Sequence, residues 1–569
     1  MTTFDVHFPV ALNDGTVLTA TATNAAGSTS ELSRRVAVGE VLSSVITVNA
    51  PDDVDDGVAD AAHTSLREAI HAANNHAGPD LIRFDVPAGL HVLQLTHDLP
   101  ALLDDGTTID ATTQPGYSGT PVLELRGTRH VVGTSVVPGA AQTGLNIRSN
   151  DNVIRGLGLN TFVYGILVDG GLGVSMPNHG NVFEANVIGT TAAGTFARSN
   201  GAGIQMVRSS NNRLGGTEAG MGNLISGNGI QISDHGVDNV IQGNVLGLNA
   251  AGTNHLRFRW VGSSVSPTQT GIQVLGSGTI IGGAEAGAGN VISAGPAGTA
   301  IELRGQDAVV QGNLIGTQTD VTKRVTTSTS YGIEIERSGH LIGGTQPGAG
   351  NVIAASFRGI VLGRNAEATI QGNFIGTDPT GTSHLGATVG ILVKGQYSVI
   401  HGVAGLIGGT DPAAANVIAF NGSGIVLGTG HGVAVLGNRI HSNVNLGIDL
   451  GDDGVTLNDT GDIDTGPNGF QNYPVLGAAS LAGTTLLVDG TLDSTPDTTF
   501  RLEFFANAEA DPSGHGEGER FLGFTEVTTD NTGAANFIAA LNGPVAGGPF
   551  VTSTATDPDG KTSDFSAGV

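Results

Sequence analysis

The chain is predicted to be all-β: a right-handed parallel β-helix, a solenoid, with a C-terminal Ig-like β-sandwich and a short N-terminal capping helix. Two interleaved phrases and the composition predict it. Gly-Asn-x-Ile/Leu-Gly, or a close variant, recurs with its Asn at 186, 244, 313, 373 and 438, in steps of 58, 69, 60 and 65 residues. Self-similarity at a long, nearly fixed interval marks one unit stacked many times. A second phrase, Gly-Ile-x-aliphatic, opens at 165, 203, 229, 271, 332, 359, 390, 424 and 447, with Ala at 300. Gly supplies 90 of 569 residues without a Gly-x-y period, and aromatics are only 4%. That leaves a core of Val, Ile, Leu and Ala with Gly and Asn at corners, and excludes collagen and disorder.

Residues 1–40 read as the terminal strands of a partial sandwich. Val17-Leu-Thr-Ala-Thr-Ala-Thr23, then Gly27, Ser30 and Ser33, matches Val551-Thr-Ser-Thr-Ala-Thr556, then Gly560, Ser563 and Ser566, at a constant offset of 533. Two strands alone are marginal in water. The match therefore predicts either the tail of a preceding sandwich in a longer array, or strands that complete a neighbouring subunit. Self-association through these strands and the C-terminal sandwich is the expected partner relationship.

Residues 41–139 read as the cap and first coils. Val45–Asn49 is a strand, followed by a loop with Asp52, Asp53, Asp55 and Asp56. Good helix formers then run from Thr64 to Asn74, with apolar residues at 66, 69, 70 and 73, and Thr64 as the expected start. Such a helix would seal the open end of a solenoid.

The β-helix itself is expected over 140–476. Two short apolar runs follow each Gly-Ile opening: after Gly271 come Thr279–Gly283 and Asn290–Ile292, and after Ala300 come Val309–Asn313 and Leu314–Ile315. Each coil then has three short strands, each paired with its counterpart about 4.8 Å away in the next coil. Asn suits the corners because it tolerates left-handed geometry, and stacked Asn can ladder between coils. Residues 477–569 carry further strands, at 484–488, 500–505, 521–524, 535–538 and 551–556, separated by turn signals such as Asp530-Asn-Thr-Gly533, which predicts an antiparallel sandwich.

The formal charge is −27, with lysine only at 323, 394 and 561. Phosphate binding depends on Lys and Arg, so no nucleic-acid partner is expected. No apolar run reaches 18 residues, so no membrane insertion is expected. The N-terminus lacks the basic and apolar regions of a signal peptide. The chain has no Cys, which fits a bacterial surface protein held by a large core and is compatible with other origins.

Thr64-Ser-Leu-Arg-Glu-Ala-Ile70 resembles the Cys-Ser-Leu-Arg-Glu-Ala motif of the CSLREA-domain bacterial surface proteins, with Thr64 in place of the leading Cys. The Ile-Gly-Gly-Thr…Asn-Val-Ile phrases at 342–353 and 407–418 look like the β-helix repeats of that family. Asn468–Leu476 resembles the phrase that closes such helices, and Thr556–Ser566 resembles their appended sandwich. The likeness covers most of 45–569. It implies an extracellular or cell-surface location and no settled reaction.

Chemistry is sparse. Polygalacturonase-like hydrolases need paired aspartates, then Gly-His-Gly, then Arg-x-Lys. Here Gly430-His431-Gly432 precedes Asp452-Asp453 and no Arg-x-Lys comes after them, so both read as coil turns. A lyase or uronate epimerase needs a cation to neutralise a carboxylate and a base to take the α-proton. His255, Arg257, Arg259 and Trp260, in the insertion that widens the 229–271 gap, are the candidate glycan-binding residues, because Arg pairs with carboxylates and Trp stacks on sugars. Tyr331 and Lys323-Arg324 lie one or two coils on. Asp459, Asp462, Asp464 and Asn468 offer hard oxygens in a Gly-bearing loop, the donor set that Ca²⁺ takes; a solvated acidic turn is the competing reading, and Asp52–Asp56 is a second calcium candidate. No cofactor is required beyond that Ca²⁺. The expected function is a structural or adhesive extracellular rod, with a polysaccharide lyase, an epimerase or a non-catalytic glycan-binding module as the alternatives. Arg, His, Tyr and carboxylates lining one side face would favour catalysis.

Overall fold

The computed structural model describes the strand pairs 17–18 and 36–37 and residues 44–569, apart from 88, 128–130, 133–134, 137–140, 172–177, 259–268, 322, 326–328, 395–404, 431 and 543–549. Three parallel sheets of 13, 12 and 11 strands form a β-helix. From Thr143–Ile147 to Arg439–His441 each coil gives one strand to each sheet. One coil is Thr299–Leu303, Val309–Gln311 and Leu314–Ile315, and the next is Tyr331–Ile335, His340–Gly343 and Val352–Ile353. The 13-stranded sheet begins at Ser44–Val48, so the first coils within 41–139 belong to the same stack as the repeats. Of residues 1–40, only the antiparallel pair Val17–Leu18 and Val36–Ala37 is described, and the expected partial sandwich otherwise lies outside the described residues.

Alternation along each strand builds the core. The register stacks isoleucine on isoleucine from Ile166 through Ile204, Ile232, Ile272, Ile301 and Ile333 to Ile448. All are essentially buried, each contributing about 1.5–3 kcal/mol. Glycine precedes most of these isoleucines, with Ala300 and Gln231 as the exceptions, and forms its own column. A Cβ on Gly332 would sit 2.4 Å from the carbonyl oxygen of Gly359, so the neighbouring coil must shift to admit one there. The opening at 229 is out of step with this column. Ala202 pairs with Ile230 and Ile204 with Ile232, so Gln231 rather than Gly229 takes the position after Gly203. Its side chain turns aside to bond Asn228.

The 58–69-residue interval spans two coils. The intervening coils supply Asn223, Asn290, Asn351 and Asn416, completing a ladder from Asn186 to Asn438. At every step both the backbone N–H and the side-chain Nδ2 donate to Oδ1 of the next Asn. From Asn290 to Asn313 these distances are 3.0 and 2.9 Å. The other Nδ2 hydrogen goes to a backbone carbonyl of the preceding coil, that of Ile241 for Asn290. Each buried amide is therefore satisfied, which avoids about 1–3 kcal/mol per orphaned group.

The helix Leu66–Asn75 covers the first coil, placing Leu66, Ala69, Ile70 and Ala73 in the core. Its N-cap is Ser65, one residue after the expected Thr64. Ser65 accepts from the Glu68 N–H while Glu68 accepts from the Ser65 N–H, a capping box. Thr64 instead donates to the Asp60 carbonyl. Arg67 forks onto Asp53 with both contacts at 3.0 Å. The Ser-Leu-Arg-Glu-Ala phrase thus supplies a cap, a core residue, a loop clamp, a second cap and a core residue.

At the other end, two three-stranded antiparallel sheets make the sandwich. Val475–Ala482, Thr485–Asp493 and Ala534–Asn542 form one; Arg520–Thr528, Thr499–Asn507 and Phe550–Thr556 form the other. Five of these strands match expectation, and Val475–Ala482 is additional. Phe505 and Phe565 leave the sandwich to join the β-helix core, their rings edge-on at 5.5 Å. Sandwich side chains also receive backbone N–H groups of the last coil. Glu503 accepts from Gly437 at 2.8 Å, Thr562 from Val435 at 2.9 Å, and Asp564 from Leu450 and Thr456, both at 3.0 Å. Those N–H groups would otherwise be buried without partners.

Candidate functional site

In the Gly-Ile-x-aliphatic strands other than the one opening at 229 the x position points outward, because the residues on either side enter the core; in that strand Ser233 takes the place. On the 11-stranded sheet this outward row reads Leu167, Gln205, Ser233, Gln273, Glu302, Glu334, then Val361, Leu392 and Val426. Two acids on consecutive strands therefore lie directly side by side, with backbones about 4.8 Å apart. Glu302 is only 7% exposed. It accepts a hydrogen bond from Gln273 Nε2 at 2.7 Å and is paired with the Arg304 guanidinium. Arg304 also approaches Glu336 at 3.6 Å. Glu334 is half-buried, and burial, then the charges of Glu302 and Glu336, push its carboxyl above the usual range. Lys394 has its ammonium pushed down by loss of surrounding water and by the Arg358 charge.

An aromatic platform borders these groups. Tyr331 and Arg358 are register partners. The Tyr331 ring meets that of Phe357 edge-on at 5.7 Å, and the Arg358 guanidinium lies 4.4 Å from the Phe357 ring centre. Tyr331 also packs with Val389 against Val361, Leu392 and Val426. It precedes Glu334 by three residues on one strand, roughly 10 Å. The patch thus unites two neighbouring carboxyl groups, three cations and an aromatic shelf.

Of the residues expected to bind glycan, Tyr331 lies on this face. His255 does not serve as a ligand group: it is buried, its Nε2 bonded to Gln269 Oε1 at 2.9 Å, and burial pushes its pKa down. It fastens the base of the insertion. Arg257 is exposed, and Arg259 and Trp260 lie outside the described residues. Arg324 is spent on the carbonyls of Ala355 and Gly386. Glu302, Glu334, Arg304 and Lys394 were not singled out from the sequence. Their signal was the x position itself, where Glu appears in two consecutive phrases.

The acidic turn near the sandwich brings Asp459, Asp462 and Asp464 together, with ligand oxygens within 4.8 Å of one another. Burial pushes Asp462 up to about 6, although Ser494 and Asn472 donate to it. Asn468 does not join them. It is fully buried, accepts from the Val433 N–H and donates to the Val433 and Thr562 carbonyls. In the Asp52–Asp56 loop, Asp53 is engaged by Arg67 and Asp52 by His63 at 3.1 Å. Asp452 and Asp453 lie in a turn, and His431 lies outside the described residues.

No protein-family model matches the chain, and no curated protein matches it. Among solved structures, the enzymatically active domain of tailspike protein 2 from bacteriophage CBA120 aligns over 98% of this chain and 79% of its own, at 12% identity and a TM-score of 0.26. A likeness that slight carries no inference about what this chain does.

Proposed function

We propose that this protein is an extracellular or cell-surface adhesive rod that binds acidic polysaccharide along the outer face of its 11-stranded sheet. The observation that carries the reading is the clustering of Arg304, Arg358 and Lys394 beside Tyr331 and Phe357 in a chain of net charge −27. Elsewhere such a surface repels polyanions; here guanidinium and ammonium groups can receive a carboxylate or sulfate, while the aromatic shelf meets the apolar face of a sugar ring. The coil repeat of about 4.8 Å lets an extended chain contact successive strands. The rod itself is the structural element that presents this face.

Titration calorimetry with polygalacturonate, and with a neutral glucan as control, tests this. Binding to the polyuronate that weakens with salt, and at least tenfold in Arg358→Ala and Tyr331→Ala, is the expected result. Equal binding of the neutral glucan, or no effect of either substitution, would leave a purely structural rod.

A further inference from the structure

Most of the outward row is uncharged, and a surface with no other task has no need of two acids side by side. Like charges on directly neighbouring strands repel, yet Glu302 and Glu334 are register partners. Their surroundings treat them differently. Both Glu302 oxygens are held, one by Gln273 and the other by Arg304. Among the described residues, no ion pair holds Glu334, whose nearest charges include two more carboxylates. When environment separates two neighbouring carboxyl groups in this way, one is fitted to remain ionised and the other to carry a proton.

We propose that Glu302 and Glu334 are the carboxyl pair of a glycoside-hydrolysing site that cleaves the acidic polysaccharide bound on this face. The proposal rests on the polysaccharide-binding role of the same face. Glu334 gives its proton to the bridging oxygen as the bond from the anomeric carbon to that oxygen breaks. Glu302, aimed by Gln273 and Arg304, attacks the anomeric carbon to form a glycosyl ester. Water then adds to that carbon, its proton passing to Glu334 as the ester bond to Glu302 breaks. One water is consumed, both acids are restored, and the anomeric configuration is retained. Retention requires carboxyl groups about 5–5.5 Å apart, a separation within reach of two glutamates on strands about 4.8 Å apart. Arg358 and Lys394 position the carboxylate of an adjoining sugar.

The test uses the full chain with polygalacturonate, alginate and hyaluronan, following new reducing ends and absorbance at 235 nm together. Reducing ends without absorbance are expected from at least one polymer. Glu334→Gln and Glu302→Gln should each lower the rate at least 100-fold while leaving calorimetric binding and melting temperature near those of the wild type. The rate should fall as pH rises through the Glu334 pKa, and Glu334→Gln should abolish that limb. Binding without new reducing ends would overturn the cleavage proposal and leave the binding role standing. Absorbance at 235 nm would show elimination and overturn it too, as would full activity in Glu334→Gln. Neither binding nor cleavage would end both.

Discussion

Asn443 donates its backbone N–H and its side-chain amide to the same oxygen, Oε1 of Glu517, at 3.0 and 2.8 Å. Asn421 makes the same pair of bonds to Asn443 one coil earlier. Glu517 belongs to the sandwich, yet it takes the place that a further coil's Asn would occupy.

This placement makes the junction sensitive to pH. Burial pushes Glu517 and Asp564 up to about 7, and raises Glu503 as well. A carboxyl group whose folded pKa exceeds its unfolded value binds more protons in the native state between the two, so stability falls as pH rises across that interval. We expect the junction's contribution to stability to be fully present below about pH 4, to weaken as pH rises toward 7, and to be lost above it. Each unit of displacement corresponds to about 1.4 kcal/mol. Calorimetric melting between pH 5 and 8 checks this, and Glu517→Gln should reduce the slope.

Removing one rung of the longer ladder should be costly. Asn313→Ala leaves the backbone N–H and Nδ2 of Asn290 without their acceptor. Two buried orphaned donors predict a loss of about 2–5 kcal/mol. Urea unfolding would show a lowered midpoint.

The glycine column is steric and can be tested against a roomy glycine. Gly332→Ala brings a methyl to 2.4 Å from the Gly359 oxygen, while at Gly428 the nearest atom is 3.7 Å away. Gly332→Ala should cost about 1–3 kcal/mol and Gly428→Ala well under about 1 kcal/mol. Equal effects in thermal melting would refute the steric account.

Calcium is the expected ligand of the Asp459–Asp462–Asp464 turn. Millimolar Ca²⁺ should then raise the melting temperature by preferential binding to the folded state, and Asp464→Asn should remove the increase. An unchanged melting temperature in wild type would end that reading.

The stack was legible in sequence because it repeats: Gly-Ile openings and Asn corners recur for one physical reason per column. Legibility failed where a residue departs from its column. Gly229 matches the phrase locally, but pairing set Gln231 in the column, since a strand's register depends on its neighbours. Ser65 outcompeted Thr64 as cap because Glu68 sits three residues after it. Val475–Ala482 is exposed along nearly its whole length, so it carries no inward–outward alternation to read. His255 looked like a ligand beside Arg257 and Trp260, yet the insertion folds it inward. Glu302 and Glu334 are far apart in sequence and become neighbours only through the winding of one coil.

The asparagine ladder has a direction. Every Oδ1 faces the winding before it, and every backbone N–H of the ladder faces the one after. Two such rods could continue the pattern only head to tail, an interface that grows into open filaments unless something closes it. Where that pattern reaches Asn443 its next acceptor is Glu517, so it runs into the sandwich rather than into another winding.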